Sequence, residues 1–141
     1  MNQKEYNLVI PSKLEKLIEV EKVAEKVAAV SRLSKDQCNN IAIAVTEAVG
    51  NAIVHGNHKN ARKNVRIHFQ VTNKTITVEV QDEGKGFDPD KLSNPLKPEN
   101  IMKENGRGIF ILKSLMDKVS FHFSPEGTTI RMTLKIRKRN A

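Results

Sequence analysis

Tryptophan is absent from this 141-residue chain, and tyrosine and cysteine each occur once. A lone cysteine, Cys38, excludes an intrachain disulfide and agrees with a reducing compartment. With no Trp and a single Tyr, the stacking platforms on which single-stranded nucleic acids are held are scarce. No apolar run approaches the ~20 residues that a membrane-spanning helix needs. The first ten residues, Met1 to Ile10, lack the apolar stretch of a secretory signal. These absences lead us to expect a cytoplasmic protein with no membrane contact. Two nucleotide signatures are missing as well: the phosphate loop ending in lysine and serine or threonine, and the six-residue dinucleotide fingerprint. The length suits one domain, residues 1–141, that buries a core without staples.

Charge is present in excess. Twenty-four Lys and Arg against 16 Asp and Glu give a net charge of +8. Such a surplus can mark a binder of phosphate backbones. Here the basic residues are spread along the chain, with clusters at Lys59–Arg66 and in the tail Lys135–Arg139. That pattern suits a solvated basic surface, and beyond it an acidic protein partner better than direct nucleic-acid binding.

Leu14, Leu17, Ile18, Val20, Ala24, Val27 and Ala28 recur mostly at three- and four-residue steps, which predicts a helix with Ser12 as its N-cap. Ser34 opens a second helix whose apolar face runs from Cys38 to Ile53, and Gly56 is placed to end it in a left-handed C′ conformation. The period then falls to two. Val65–Val71 and Ile76–Val80 read as a hairpin, Val119–Phe123 and Ile130–Ile136 as two further strands, and Tyr6–Ile10 as a fifth. Helical spacing returns between Gly108 and Lys118. Strands with one apolar face need cover on one side only, which predicts a two-layer α/β (α+β) sandwich with one open sheet face.

Three clusters carry chemistry. In EAVGNAIVHGN, Glu47 to Asn57, helical spacing stacks Glu47, Asn51 and His55 beside the apolar face. A carboxylate and a carboxamide one turn apart suit a hard cation and activation of a hydroxyl, although polar flanks of this kind also occur without function. In DEGKGFD, Asp82 to Asp88, an aspartate leaves a strand ahead of Gly84 and Gly86, so its backbone can approach a ligand closely; a plain strand-to-loop turn reads the same way. In GRGIFIL, Gly106 to Leu112, glycines precede a helix, where free N–H groups make an anion site.

In this order and spacing the clusters resemble the boxes of the GHKL ATPases, the superfamily of gyrase, the MutL repair proteins and histidine kinases. EAVGNAIVHGN looks like the N box, DEGKGFD and GRGIFIL like the two glycine boxes, and EGTTIRM, Glu126 to Met132, like the terminal strand segment. The resemblance implies a Bergerat-type ATP-binding fold with a mixed, mostly antiparallel sheet. Its compact form is similar to the anti-sigma-factor serine-protein kinases. It implies Mg²⁺ and ATP as cofactors, with Glu47 as general base and Asn51 as metal ligand. Asp82 and Thr128 then stand at the adenine, Gly84 and Gly86 shape its pocket, and Gly106, Arg107 and Gly108 lie at the phosphates. His55 is a secondary nucleotide contact, and residues 87–105 form the lid. It further implies a homodimer that holds a sigma factor and phosphorylates a STAS-type anti-anti-sigma antagonist. The alternative is an ATP-gated binding switch without phosphate transfer, whose target is not a sigma factor.

Overall fold

The computed structural model describes residues 3–84 and 110–137. Gly86, Gly106, Arg107, Gly108 and the lid expected at 87–105 lie outside the described residues. The elements among these residues are, in chain order, β1 (Lys4–Pro11), α1 (Leu17–Val30), α2 (Lys35–Asn51), β2 (Asn64–Val71), β3 (Thr75–Gln81), β4 (Lys118–Ser124) and β5 (Gly127–Lys135). Residues 110–115, ahead of β4, are helical. The strands form one sheet in the order β1-β2-β3-β5-β4. Each neighbouring pair is antiparallel, so the mixed sheet expected contains no parallel pair among the described residues.

Alternation decides which face is covered. Ile10, Val65, Ile67, Phe69, Val71, Ile76, Val78, Val80, Ile130, Met132 and Leu134 are buried, and the register sets Phe69 beside Val78 and Val78 beside Met132. Against this face α1 sets Val20, Ala24, Val27 and Ala28, and α2 sets Ile41, Ala44, Val45, Ala48 and Val49. Both sets recur at helical spacing, and burial of such a stripe is worth far more than the helices' intrinsic propensity. Leu112 and Met116 extend the same core. The other sheet face carries polar residues, including an exposed chain in which Glu5 and Glu79 flank His68 and Arg131 reaches Glu79.

Two helix ends differ from expectation. Ser34 caps α2 by accepting the Gln37 N–H at 3.2 Å. Ser12, in contrast, caps nothing. The chain enters α1 through a 3₁₀ turn, Leu14–Lys16, flanked by Lys13 without a side-chain cap. Ser12 is buried instead, and its hydroxyl donates to the Lys63 carbonyl at 2.7 Å. A distant acceptor outcompeted the local cap. At its far end α2 widens into a π turn, Ala52–Gly56, closed by the Asn57 N–H on the Ala52 carbonyl at 2.8 Å. The left-handed residues that reverse the chain are His58 and Lys59, with φ of 52° and 58°. Gly56 is not among them.

Candidate functional site

The π turn, the end of β3 and the start of β5 meet at one corner of the sheet, and Asp82 lies at its centre. Asp82 is 7% exposed. Its Oδ1 accepts the N–H groups of Gly84 and Thr128, both at 3.0 Å. Its own N–H donates to the Thr128 carbonyl, also at 3.0 Å. One carboxylate oxygen is therefore fixed by backbone from two elements. The other, Oδ2, accepts no hydrogen bond among the described residues and faces Gly56.

Three glycines make room for this arrangement. A Cβ on Gly56 would occupy the space of the Asp82 carboxylate, and one on Gly84 would strike the Gly56 carbonyl. One on Gly127, whose φ of +151° already disfavours a side chain, would strike the Asp82 carbonyl. Gly56 thus serves close approach to Asp82 and not the left-handed turn that its position at a helix end suggested. Burial pushes the Asp82 carboxyl above its ordinary range, opposed by the N–H groups of Thr128 and Gly84 and by the positive charges of Lys63 and His58.

A second residue, unassigned in the sequence reading, holds the corner together. Asn57 is 1% exposed. Its Nδ2 donates to Ser12 Oγ at 2.8 Å and to the Asn64 carbonyl at 3.0 Å. Its Oδ1 accepts the Glu83 N–H at 2.8 Å. The Glu83 carboxylate in turn accepts the Asn64 N–H at 2.8 Å. One carboxamide therefore ties the π turn to β1, to β2 and to the residue after Asp82. The only trace of this in the sequence is an asparagine closing a polar-flanked helix, because the partners are 7 to 45 residues away.

The remaining candidates divide. Glu47 and Asn51 are half-buried on α2. Among the described residues Asn51 Nδ2 is buried without a hydrogen-bond partner, an arrangement that usually costs about 1–3 kcal/mol. His55 lies within the π turn and is exposed, so the stripe expected to hold all three separates there. Gly84 and Thr128 stand directly on Asp82. Among the described residues no group of three or more His, Cys, Asp or Glu could hold a metal ion, so a cation here would rest on Asn51 and on oxygens brought by its ligand.

Residues 10–134 match the model of the histidine kinase-like ATPase domain family. The chain is 38% identical over 111 residues to an anti-sigma F factor of Bacillus subtilis, covering 75% of each. It is 36% identical over 110 residues to the serine-protein kinase RsbW of Staphylococcus aureus, covering 73% of this chain and 69% of that one. In fold it is similar to a structure of the RsbU and RsbW domains of Rv1364c from Mycobacterium tuberculosis, with a TM-score of 0.70 at 14% identity. That match covers 96% of this chain and spans 33% of the mycobacterial one. A histidine kinase domain from Erythrobacter litoralis matches 90% of the chain with a TM-score of 0.56.

Proposed function

Because the chain belongs to the histidine kinase-like ATPase domain family, we propose that it is an ATP-dependent serine-protein kinase that regulates a sigma factor by partner switching. In this reading it binds the sigma factor, and it phosphorylates a serine of a STAS-type anti-anti-sigma antagonist. It works as a cytoplasmic homodimer, and residues 1–141 make one nucleotide-binding domain. Among the described residues no helix is long and apolar enough to cross a membrane. The kinship to an anti-sigma F factor and to a serine-protein kinase supports the two activities together.

The observation that carries the nucleotide assignment is the half-used carboxylate of Asp82. Oδ1 accepts two backbone N–H groups, whereas Oδ2 accepts none among the described residues and lies against Gly56, where a side chain would collide with it. Such an oxygen suits the exocyclic amino group of adenine, a donor that guanine replaces with a carbonyl. Thr128, clamped to Asp82 through its backbone, supports the ring edge. Gly84 shapes the same side, and Gly86, Gly106, Arg107 and Gly108 are assigned to the pocket and phosphates on sequence alone, with His55 a peripheral contact.

Asn51 Nδ2, buried without a hydrogen-bond partner among the described residues, suits a role that a bound ligand completes. Half a turn about its last bond exchanges nitrogen for oxygen, and the oxygen suits Mg²⁺. When bound, Mg²⁺ offsets the charge of the phosphates. Glu47, one turn earlier on α2, accepts the proton of the incoming serine hydroxyl. The serine oxygen bonds to the γ-phosphorus as the bond to the β–γ bridging oxygen breaks, and ADP leaves. Phosphoryl transfer asks a protein mainly for positioning and electrostatics, which this small inventory supplies.

The test mixes the chain with γ-labelled ATP, Mg²⁺ and a STAS protein encoded beside it. Label on serine that is lost in Glu47→Gln, with ATP binding retained, is the expected result. ATP binding without label for any such partner would replace the kinase with an ATP-gated binding switch.

A further inference from the structure

At the end of the sheet opposite Asp82, where Lys4 pairs with Val71 and Thr75 with Lys135, a second cleft opens between the end of α1 and the β2–β3 turn. Its volume is 210 Å³. Val30, Val71 and Ile136 give it an apolar lining, and Lys4 and Arg32 supply two cations. No acidic side chain lines it among the described residues, and neither cation belongs to an ion pair there. Ser31, also in the wall, is 7% exposed, and its buried Oγ has no hydrogen-bond partner among the described residues.

The backbone at this point is equally telling. After α1 the Arg32 N–H bonds to the Ala29 carbonyl at 3.1 Å and the Leu33 N–H to the Ala28 carbonyl at 3.3 Å. This is the paired closure that places a left-handed residue just past a helix, a position usually held by glycine. Here it is arginine, with φ of 57°. A side chain kept where glycine would fold more easily points to a use for that side chain. Complementing the negative end of the α1 dipole is one use, but it does not explain Lys4 in the same cleft.

We propose that this cleft is an oxyanion pocket that takes the carboxylate of an aspartate or glutamate presented by a partner protein. Lys4 and Arg32 supply the charge, and the apolar lining receives the methylenes. The size selects the source: 210 Å³ falls below the ~300–1,000 Å³ of pockets that enclose whole small molecules, yet it accommodates one side chain. The net charge of +8 favours an acidic partner in the approach. The proposal makes no use of the nucleotide site and stands or falls separately from it.

The test is an amide-resonance titration of the full chain without nucleotide. The probes are a capped hexaglutamate peptide and, at matched ionic strength, inorganic phosphate. The peptide should saturate, with shifts centred on residues 31–33 and 72–74. Arg32→Gly removes the guanidinium while relieving the left-handed backbone, so it should melt no lower than wild type and bind the peptide at least fivefold more weakly. Lys135→Gln, a charge change outside the cleft, should leave affinity within twofold. Unsaturated shifts scattered over the basic surface, or wild-type affinity in Arg32→Gly, would overturn the pocket. Saturation by phosphate but not by peptide would overturn the partner side chain as its occupant.

Discussion

Replacing Asn57 by alanine tests how the corner around Asp82 is held. The substitution removes three hydrogen bonds, to Ser12, Asn64 and Glu83, from a side chain that is 1% exposed. Each such bond contributes about 0.5–1.5 kcal/mol net, and stranded buried partners add to the loss. The expected destabilisation is about 3 kcal/mol, a large fraction of the ~5–15 kcal/mol that holds a domain together. At roughly 2–4 °C per kcal/mol for a chain of about this size, the melting temperature should fall by ~6–12 °C. Equilibrium urea denaturation measures the first figure and a thermal scan the second. Freeing Glu83 also frees Asp82, so ATP affinity measured where the variant is still folded should drop about tenfold. Asn57→Asp keeps an acceptor for the Glu83 N–H but sets a carboxylate against the Asn64 carbonyl, and should be less stable than the alanine variant. If Asn57→Ala unfolded within ~0.5 kcal/mol of wild type and bound ATP equally well, the network would be ornamental and the reasoning wrong.

Gly56→Ala places a methyl group where the Asp82 carboxylate lies; ATP affinity should fall more than tenfold, with a stability loss of about 1–3 kcal/mol from overpacking read by urea denaturation. Asn51→Ala removes an unpartnered buried group, so stability should hold or rise by up to ~1 kcal/mol while Mg²⁺-dependent ATP binding is lost, a separation of fold from function that calorimetry can follow. The Asp82 carboxyl is raised by burial, so the folded state holds its proton to a higher pH than the unfolded chain does. This group's contribution to stability therefore declines as pH rises from the ordinary aspartate range through the raised value. In the proposed role Asp82 meets the adenine as the ionised form, so ATP affinity should begin to fall on acidification above the ordinary range of about 3.9. A titration of affinity against pH, with Asp82→Asn as the flat reference, reads this directly.

Much of the fold was legible because apolar periodicity is a local signal. Val65–Val71 and Ile76–Val80 alternate without interruption, and the strands formed there. Ser34 lies where its side chain can reach the Gln37 N–H three residues on, and it caps α2. Ser12 carried the same local signal but obeyed a distant one, the Lys63 carbonyl and the Asn57 carboxamide. Gly56 was read by its place at a helix end, whereas its reason is Asp82, 26 positions further along the chain. The box motifs nominated Glu47, Asn51, Asp82, Gly84 and Thr128, and of these the folded chain joins Asp82, Gly84 and Thr128 through hydrogen bonds. Asn57 escaped notice because a fully satisfied buried carboxamide has no signature until its three partners are folded around it. The π turn was equally silent, since apolar spacing through Ala52 and Ile53 continues as it would in an ordinary helix.

Whether Asp82 Oδ2, which accepts no hydrogen bond among the described residues, reads adenine is answered by one calorimetric comparison. Wild type and Asp82→Asn are each titrated with Mg·ATP and Mg·GTP. Wild type should prefer ATP by at least tenfold, and the substitution should abolish the preference chiefly by weakening ATP. Equal ATP affinity in the two proteins, with the preference for ATP intact, would place adenine recognition elsewhere and contradict it.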